Sequence, residues 1–382
     1  TLFPYTTLFR SINLPVGVIS LIMVTVFLHV PHTPKQQKID WWGAVTIIFA
    51  TVPLLLVAEQ GREWGWGSPI SIAMYVIGVA GIISFITIEK KMGESALIPL
   101  TLFKNQTFAR TQILGFIIGI GMFGGMIVLP LIIQIIYGVS PTMVGFMMLP
   151  MVFGMMSATI TAGRITSKTG KYRIFFNTGT ATLTIGYLYM VLLMRADTPL
   201  WVLAIGMVLI GMGLGQLMQT TMVASQNAVD AKNIGVATSS ATFFRQMGGT
   251  FGVAIFMSIL FSQVVDKIQA AFETSAVKAG FAEALQDPQV VSNQANAGIL
   301  EILKAGPSGA EGITNDSSFL IDADERLTLP FRIGFVESSL TVFMLAAVII
   351  AVAFVISWFI KEIPLREKSA SQEAAEAAAA AH

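Results

Sequence analysis

Apolar residues fall into nine blocks at residues 12–30, 42–58, 70–88, 111–136, 142–162, 174–194, 200–222, 236–262 and 336–360, separated by polar stretches that are short except for one. About 20 apolar residues in a helix cross a bilayer, and a chain in lipid must satisfy its backbone polar groups within each segment. The pattern therefore predicts nine transmembrane helices. The exception is residues 263–335. Between 266 and 326 it carries ten acids against four bases, a net of −6. Its amphipathic stretches, such as 264–286, are short, so a solvated helical appendage is expected rather than a folded domain. Residues 361–382 form a low-complexity, helix-prone tail without a motif.

The polar connections alternate in charge. One set, with Lys35, Lys38, Lys90, Lys91, Lys104, Arg110, Arg164, Lys168, Lys171, Arg173, Lys232, Lys361, Arg366 and Lys368, holds fourteen cations, whereas the opposite short loops hold only Arg62 and Arg195. Cations collect on the cytoplasmic side of a membrane, so the chain is expected to start outside and end inside. Trp64 and Trp66 in the loop GREWGWGSP suit the outer interface.

Composition agrees: hydrophobic residues are 54% and charged residues 12%, with a mean hydropathy of +0.73. The net charge of +1 without a basic stripe argues against a nucleic-acid partner. The chain has no cysteine, and His29, His32 and His382 form no ligand pattern, so no metal or cofactor is expected. Asp40, His29 and His32 are the only candidate polar cluster for a membrane enzyme, and no nucleophile accompanies them. No repeated filter sequence suggests a channel.

The residues that point to function lie between 211 and 256. Arg245 sits roughly two turns inside an apolar block. An arginine near a helix centre costs on the order of 2.5–3.5 kcal/mol to insert, so it needs a polar partner or a wet cavity. Gly211, Gly213, Gly215, Gly235, Gly248, Gly249 and Gly252 let helix backbones approach closely. Of these, Gly211, Gly215, Gly248 and Gly252 are assigned to helix packing. Gly211–Gly215 follows no strand, so it is not a nucleotide-binding loop. Together these features predict packed helices around a polar pathway, which is a transporter.

Several motifs, INLPVG at 12–17, IDWWGA at 39–44, EQGREWGW at 59–66, VLPLIIQIIYGVSPTMVGFMMLPMVFG at 128–154, and GMGLGQLMQTTMVASQNAV followed by GVATSSATFFRQMGGTFGVAIF, resemble the fourteen-helix drug:proton antiporter branch of the major facilitator superfamily, the EmrB/QacA type. The resemblance extends from residue 12 to about 366. It implies an all-α integral membrane fold whose C-terminal part has about nine transmembrane helices. Residues 12–30 would be the last helix of the N-terminal bundle, 31–110 two inserted helices and a cytoplasmic linker, and 111–262 the first five helices of the C-terminal bundle. Residues 263–335 would be an extracytoplasmic loop, 336–360 the last helix, and 361–382 a cytoplasmic tail. Five preceding helices would be missing, with their membrane acid and glycine-proline motif. Residues 1–11, TLFPYTTLFRS, resemble a translated sequencing-adapter oligonucleotide and are set aside.

By the same resemblance, GRITSKTGKYR at 163–173 is a cytoplasmic gating loop, carried by Gly163, Arg164, Lys168, Gly170, Lys171 and Arg173. Ser167 stands where the family usually has aspartate, so a plain positive-inside turn is an equal reading. The family's cavity is lined by the first, second, fourth and fifth helices of the second bundle. That makes Gln134, Met147, Met151, Gln216, Gln219, Ser240, Arg245 and Gln246 candidate substrate contacts. Methionine suits a permissive apolar surface, while packing methionines and glutamines that join helices are the competing readings. The helix 336–360, almost wholly apolar, suits lipid contact. The implied function is proton-driven export of lipophilic or cationic compounds from a bacterial inner membrane by alternating access. A dedicated exporter of one metabolite, lipid or antibiotic is the alternative. The bilayer, the substrates and protons are the implied partners; whether a periplasmic or membrane-fusion partner joins them stays open. The proton-carrying acids are expected in the missing half, and the chain alone is expected to be inactive.

Overall fold

A computed structural model describes residues 5–27, 39–305 and 323–365, with all their side chains except those of 5–14, Arg62, Glu94 and 302–305. Lys35, Lys38, His29, His32, Arg366, Lys368 and His382, with most of the tail, lie outside the described residues, as does the stretch 306–322 of the polar segment. The chain divides into two units, Thr1–Ile39 and Asp40–His382. The first holds one helix, α1 (Tyr5–Phe27), which contains Pro15.

The second unit is helical throughout its described length apart from short connections. Its helices are α2 (Trp41–Trp64), α3 (Pro69–Met92), α4 (Gln106–Tyr137), α5 (Pro141–Met147), α6 (Leu149–Thr169), α7 (Arg173–Leu193), α8 (Leu200–Asn227) and α9 (Ile234–Glu273). Three short ones follow, α10 (Ser275–Gln286), α11 (Pro288–Val291) and α12 (Ala297–Ala305), and then α13 (Glu325–Ser357). Local signals set the ends. Asp40 caps α2 by accepting from the Gly43 N–H at 2.7 Å, and Asn105 caps α4 through the amides of Thr107 and Phe108. Gly138 ends α4 in the left-handed conformation.

The described part of every predicted block is helical apart from a few end residues, the fifth being divided between α5 and α6 at Met148. Seven helices among the described residues are long and apolar enough to cross a membrane. The threonine-rich α7 is not one of them, yet Thr180 and Thr184 donate to the carbonyls of Phe176 and Thr180. Those hydroxyls are satisfied inside the helix and do not prevent burial.

Helices α4, α6, α7, α8, α9 and α13 enclose one apolar core, with Tyr187, Phe256 and Phe343 among its largest fully buried side chains. Glycine sets the two closest approaches. A Cβ at Gly211 or Gly215 of α8 would collide with the Met151 or Met155 carbonyl of α6, and one at Gly248 or Gly252 of α9 with the Phe116 or Ile120 carbonyl of α4. All four glycines assigned to packing are thus buried against a backbone that no side chain could approach. Helices α2 and α3 form a hairpin with many exposed apolar residues, including Trp42, Val76 and Ile83.

Two expectations change. The helix expected at 336–360 starts eleven residues earlier, at Glu325, and it packs on α4, α7 and α9. Only its outer face, with Val348, Val352 and Val355, is exposed as a lipid-facing helix requires. The segment 263–335, expected to be a solvated appendage, has a core of its own among its described residues. Val264 and Ile268 extend the buried face of α9 beyond residue 262 and meet Phe281, Ala284, Val290, Ile299, Leu327, Phe331 and Phe335. Phe272 packs edge-on against Phe281 (4.8 Å) and Phe331 (6.1 Å). Each amphipathic piece is weak alone; together they bury a common face.

Candidate functional site

Arg245 lies about three turns into α9, or about 16 Å along its axis. Its carbonyl packs against Gly119 of α4. Its side chain lines a hollow of about 460 Å³ with Met155, Met156, Thr159 and Ile160 of α6 and Met218, Gln219 and Met222 of α8. No carboxylate lines this hollow, and Arg245 has no ion pair or hydrogen bond among the described residues. The hollow therefore presents one cation and one amide on a wall of thioethers. Thr159 fixes that wall, since its hydroxyl donates to the Gly215 carbonyl of α8 at 3.1 Å as well as to Met155 of its own helix.

Only two of the eight candidate contacts, Gln219 and Arg245, share this hollow. Gln246, next in sequence to Arg245, lines a separate and larger one bounded by α2, α4 and α9. Gln216 is buried, and its Oε1 accepts from Thr178 Oγ1 at 2.6 Å, so it joins α7 to α8. Met151 is a core residue held against Gly211, and Met147 is half-buried on the same core. Gln134 is half-buried on α4 and lines neither hollow. Ser240 is buried with its hydroxyl unpartnered, and it too lies outside both. The methionines that do line the smaller hollow recur one helical turn apart from another lining residue: Met155 with Thr159, Met156 with Ile160, Met218 with Met222. That spacing puts each pair on one face. It was visible in the sequence, but Met151 stands one turn before Met155 in the same row, so spacing did not separate the core methionine from the lining one.

In the stretch 163–173 a single glycine makes the turn, and the two ends of the stretch belong to helices. Gly163 and Arg164 lie within α6, which runs on to Thr169, and Gly170 alone turns the chain, at φ +71°. Arg164, Lys168 and Lys171 are exposed. Arg173 opens α7 instead of remaining in the loop, and its Nη2 donates to the Trp358 carbonyl at 2.7 Å. Arg110 donates to the neighbouring Phe359 carbonyl at 2.6 Å. Two arginines thus satisfy carbonyls at the C-terminal end of α13, where cations are favoured. The following residues cross the helix ends as a strap: Tyr172 Oη accepts from the Ile363 N–H at 3.0 Å, and Asn227 donates to the carbonyls of Ile363 and Pro364. Burial holds the Tyr172 phenol above its ordinary pKa, so it remains protonated across the physiological range.

Residues 6–253 match the Major Facilitator Superfamily. The chain is 31% identical to a tetracycline resistance determinant of Streptomyces rimosus, over 87% of this chain and 94% of that protein. It is 31% identical to the multidrug transporter protein MdtP of Bacillus subtilis, over 95% of this chain and 66% of that protein. Against multidrug resistance protein 3 of the same organism it is 30% identical, over 73% of this chain and 55% of that protein. The two Bacillus relatives are thus matched over less than two thirds of their length. The helical bundle, the glycine-packed helix pairs and these matches make this multi-pass membrane chain a transporter of the major facilitator superfamily.

Proposed function

We propose that the chain is the second bundle, with its flanking helices, of a proton-driven exporter of lipophilic compounds in the fourteen-helix branch of the family. The observation that carries this reading is the hollow shared by Arg245, Gln219 and four methionines. A polarizable, flexible wall accommodates molecules of different shape. An arginine without a partner among the described residues is poised to meet a substrate or a carboxylate from the opposing bundle as the two rock against each other. Three of the four helix positions that would line a central cavity, α6, α8 and α9, contribute to it. Five further helices, preceding residue 12, would supply the opposing bundle and the proton-carrying acids, and the chain alone would not transport.

The match to the tetracycline resistance determinant over 94% of that protein supports a second reading, a single-drug exporter. Resistance profiling separates the two. Drug-sensitive bacteria making the chain within its complete native reading frame are expected to accumulate less of several unrelated lipophilic compounds. Protection against tetracycline alone supports the single-drug reading, and protection against none contradicts both.

The charge alternation supports an orientation with the cap of α10–α12 outside and residues beyond 361 inside. Cysteines introduced singly into this cysteine-free chain test it: an impermeant maleimide is expected to label Ser292→Cys in intact cells and Ser371→Cys only after permeabilisation. The reverse pattern contradicts the orientation.

A further inference from the structure

The larger hollow, about 770 Å³, has a composition unlike the first. From α2 and the turn after it come Glu59, Glu63 and Trp66; from α4, Phe123; from α9, Gln246 and Phe261. Glu59 and Glu63 are one turn apart and so share a face of α2. Both are exposed, and neither has an ion pair or hydrogen bond among the described residues. The indole is placed by local geometry. Gly65 adopts φ +82° at the end of α2, and this turns the chain back so that Trp66 lies on Gly61. A Cβ there would sit 2.7 Å from the ring. The result is a drug-sized recess with two free carboxylates, an indole and two phenyl rings. The hollow around Arg245, by contrast, has a single charge, and it is positive.

We propose that this second hollow is a binding site for an amphiphilic organic cation, separate from the methionine-lined one. The carboxylates supply the charge complement, and the aromatic groups supply apolar area and ring faces that attract a cation. A compact inorganic ion would leave the aromatic walls unused, and a neutral lipophile would leave two carboxylates uncompensated. The same argument disfavours a cation beside Arg245. A molecule with both cationic and uncharged forms would therefore divide between the hollows according to its protonation.

Binding of tetraphenylphosphonium and of the neutral dye Nile red to the detergent-solubilised full chain tests this. Glu59→Gln/Glu63→Gln is expected to bind the cation on the order of ten-fold more weakly and the neutral dye as the parent does. Because both carboxylates are exposed and unpaired, the amides disturb no packing. Trp66→Ala is expected to weaken cation binding on its own. The unmodified protein supplies an independent readout, since added salt should weaken tetraphenylphosphonium binding and leave Nile red unaffected. Unchanged cation affinity in the double variant, or an equal loss for both probes, overturns the proposal. The readout is binding without transport, so it can fail while the chain proves to be part of an exporter, and it can hold where no export is found.

Discussion

Arg245 and the packing glycines illustrate what a residue's identity reveals and what it leaves open. A cation in an apolar block must be accommodated, and glycines spaced four apart on a helix present one small face. Both arguments use residue type and spacing alone; Arg245 lines a hollow, and Gly211, Gly215, Gly248 and Gly252 lie against the backbones of neighbouring helices. Gln216 and Met151 were less legible, because the same side chain serves equally well as wall or as mortar. Gln216 spends its oxygen on Thr178, and Met151 lies in the core. Which helix faces which is decided by tertiary packing, and the spacing within a single helix does not contain it. The glycine argument has a sharp consequence within α9. Gly248→Ala would push a methyl into the Phe116 carbonyl, whereas Gly235→Ala meets nothing within 4 Å. The first is expected to destabilise by about 1–3 kcal/mol, and the second to be neutral or stabilising by up to about 1 kcal/mol. Thermal melts of the two variants in one detergent check the contrast, and equal shifts contradict it.

At the scale of elements, the membrane helices were legible because twenty apolar residues in a row have few alternatives. The cap was not, since its core is assembled from pieces that are unremarkable singly. Its polar side is equally non-local. Asp324 caps α13 and accepts from Arg326 Nε (3.1 Å) and Nη2 (3.1 Å). Arg326 reaches on to Asp287 at 3.3 Å, and the Asp324 N–H donates to buried Asn296 at 2.8 Å. Hydrogen bonding to Arg326 holds the Asp324 carboxyl below its ordinary pKa. A carboxylate depressed in the folded state adds stability that is fully present above its unfolded value, near 4, and is lost as pH falls through the lower folded value. Amide protection in α10–α12, corrected for intrinsic exchange, is therefore expected to decline as pH drops below about 4. Asp324→Asn should reduce protection at neutral pH and flatten that decline. An unchanged profile contradicts the role given to this carboxylate.

For the whole molecule, fold class and family followed from apolar blocks and motif order, whereas the division into two hollows of opposite charge did not. Arg245 and Gln246 are consecutive, yet one faces α6 and α8 and the other faces α2, because successive helical positions point about 100° apart and neighbours lie on both sides. The strap beyond α13 was equally invisible, since Arg110, Arg173 and Tyr172 reach it from helices distant in sequence. If the methionine-lined hollow is the transport route of a proton-driven exporter, Arg245 is its most exacting element. The direct measurement is energised uptake of a lipophilic drug into everted vesicles from cells making the complete reading frame. Parent vesicles are expected to accumulate the drug and to lose it on addition of a protonophore, while Arg245→Ala vesicles with equal protein in the membrane accumulate none. Protonophore-insensitive uptake, or uptake by Arg245→Ala equal to the parent's, would contradict that route and its coupling.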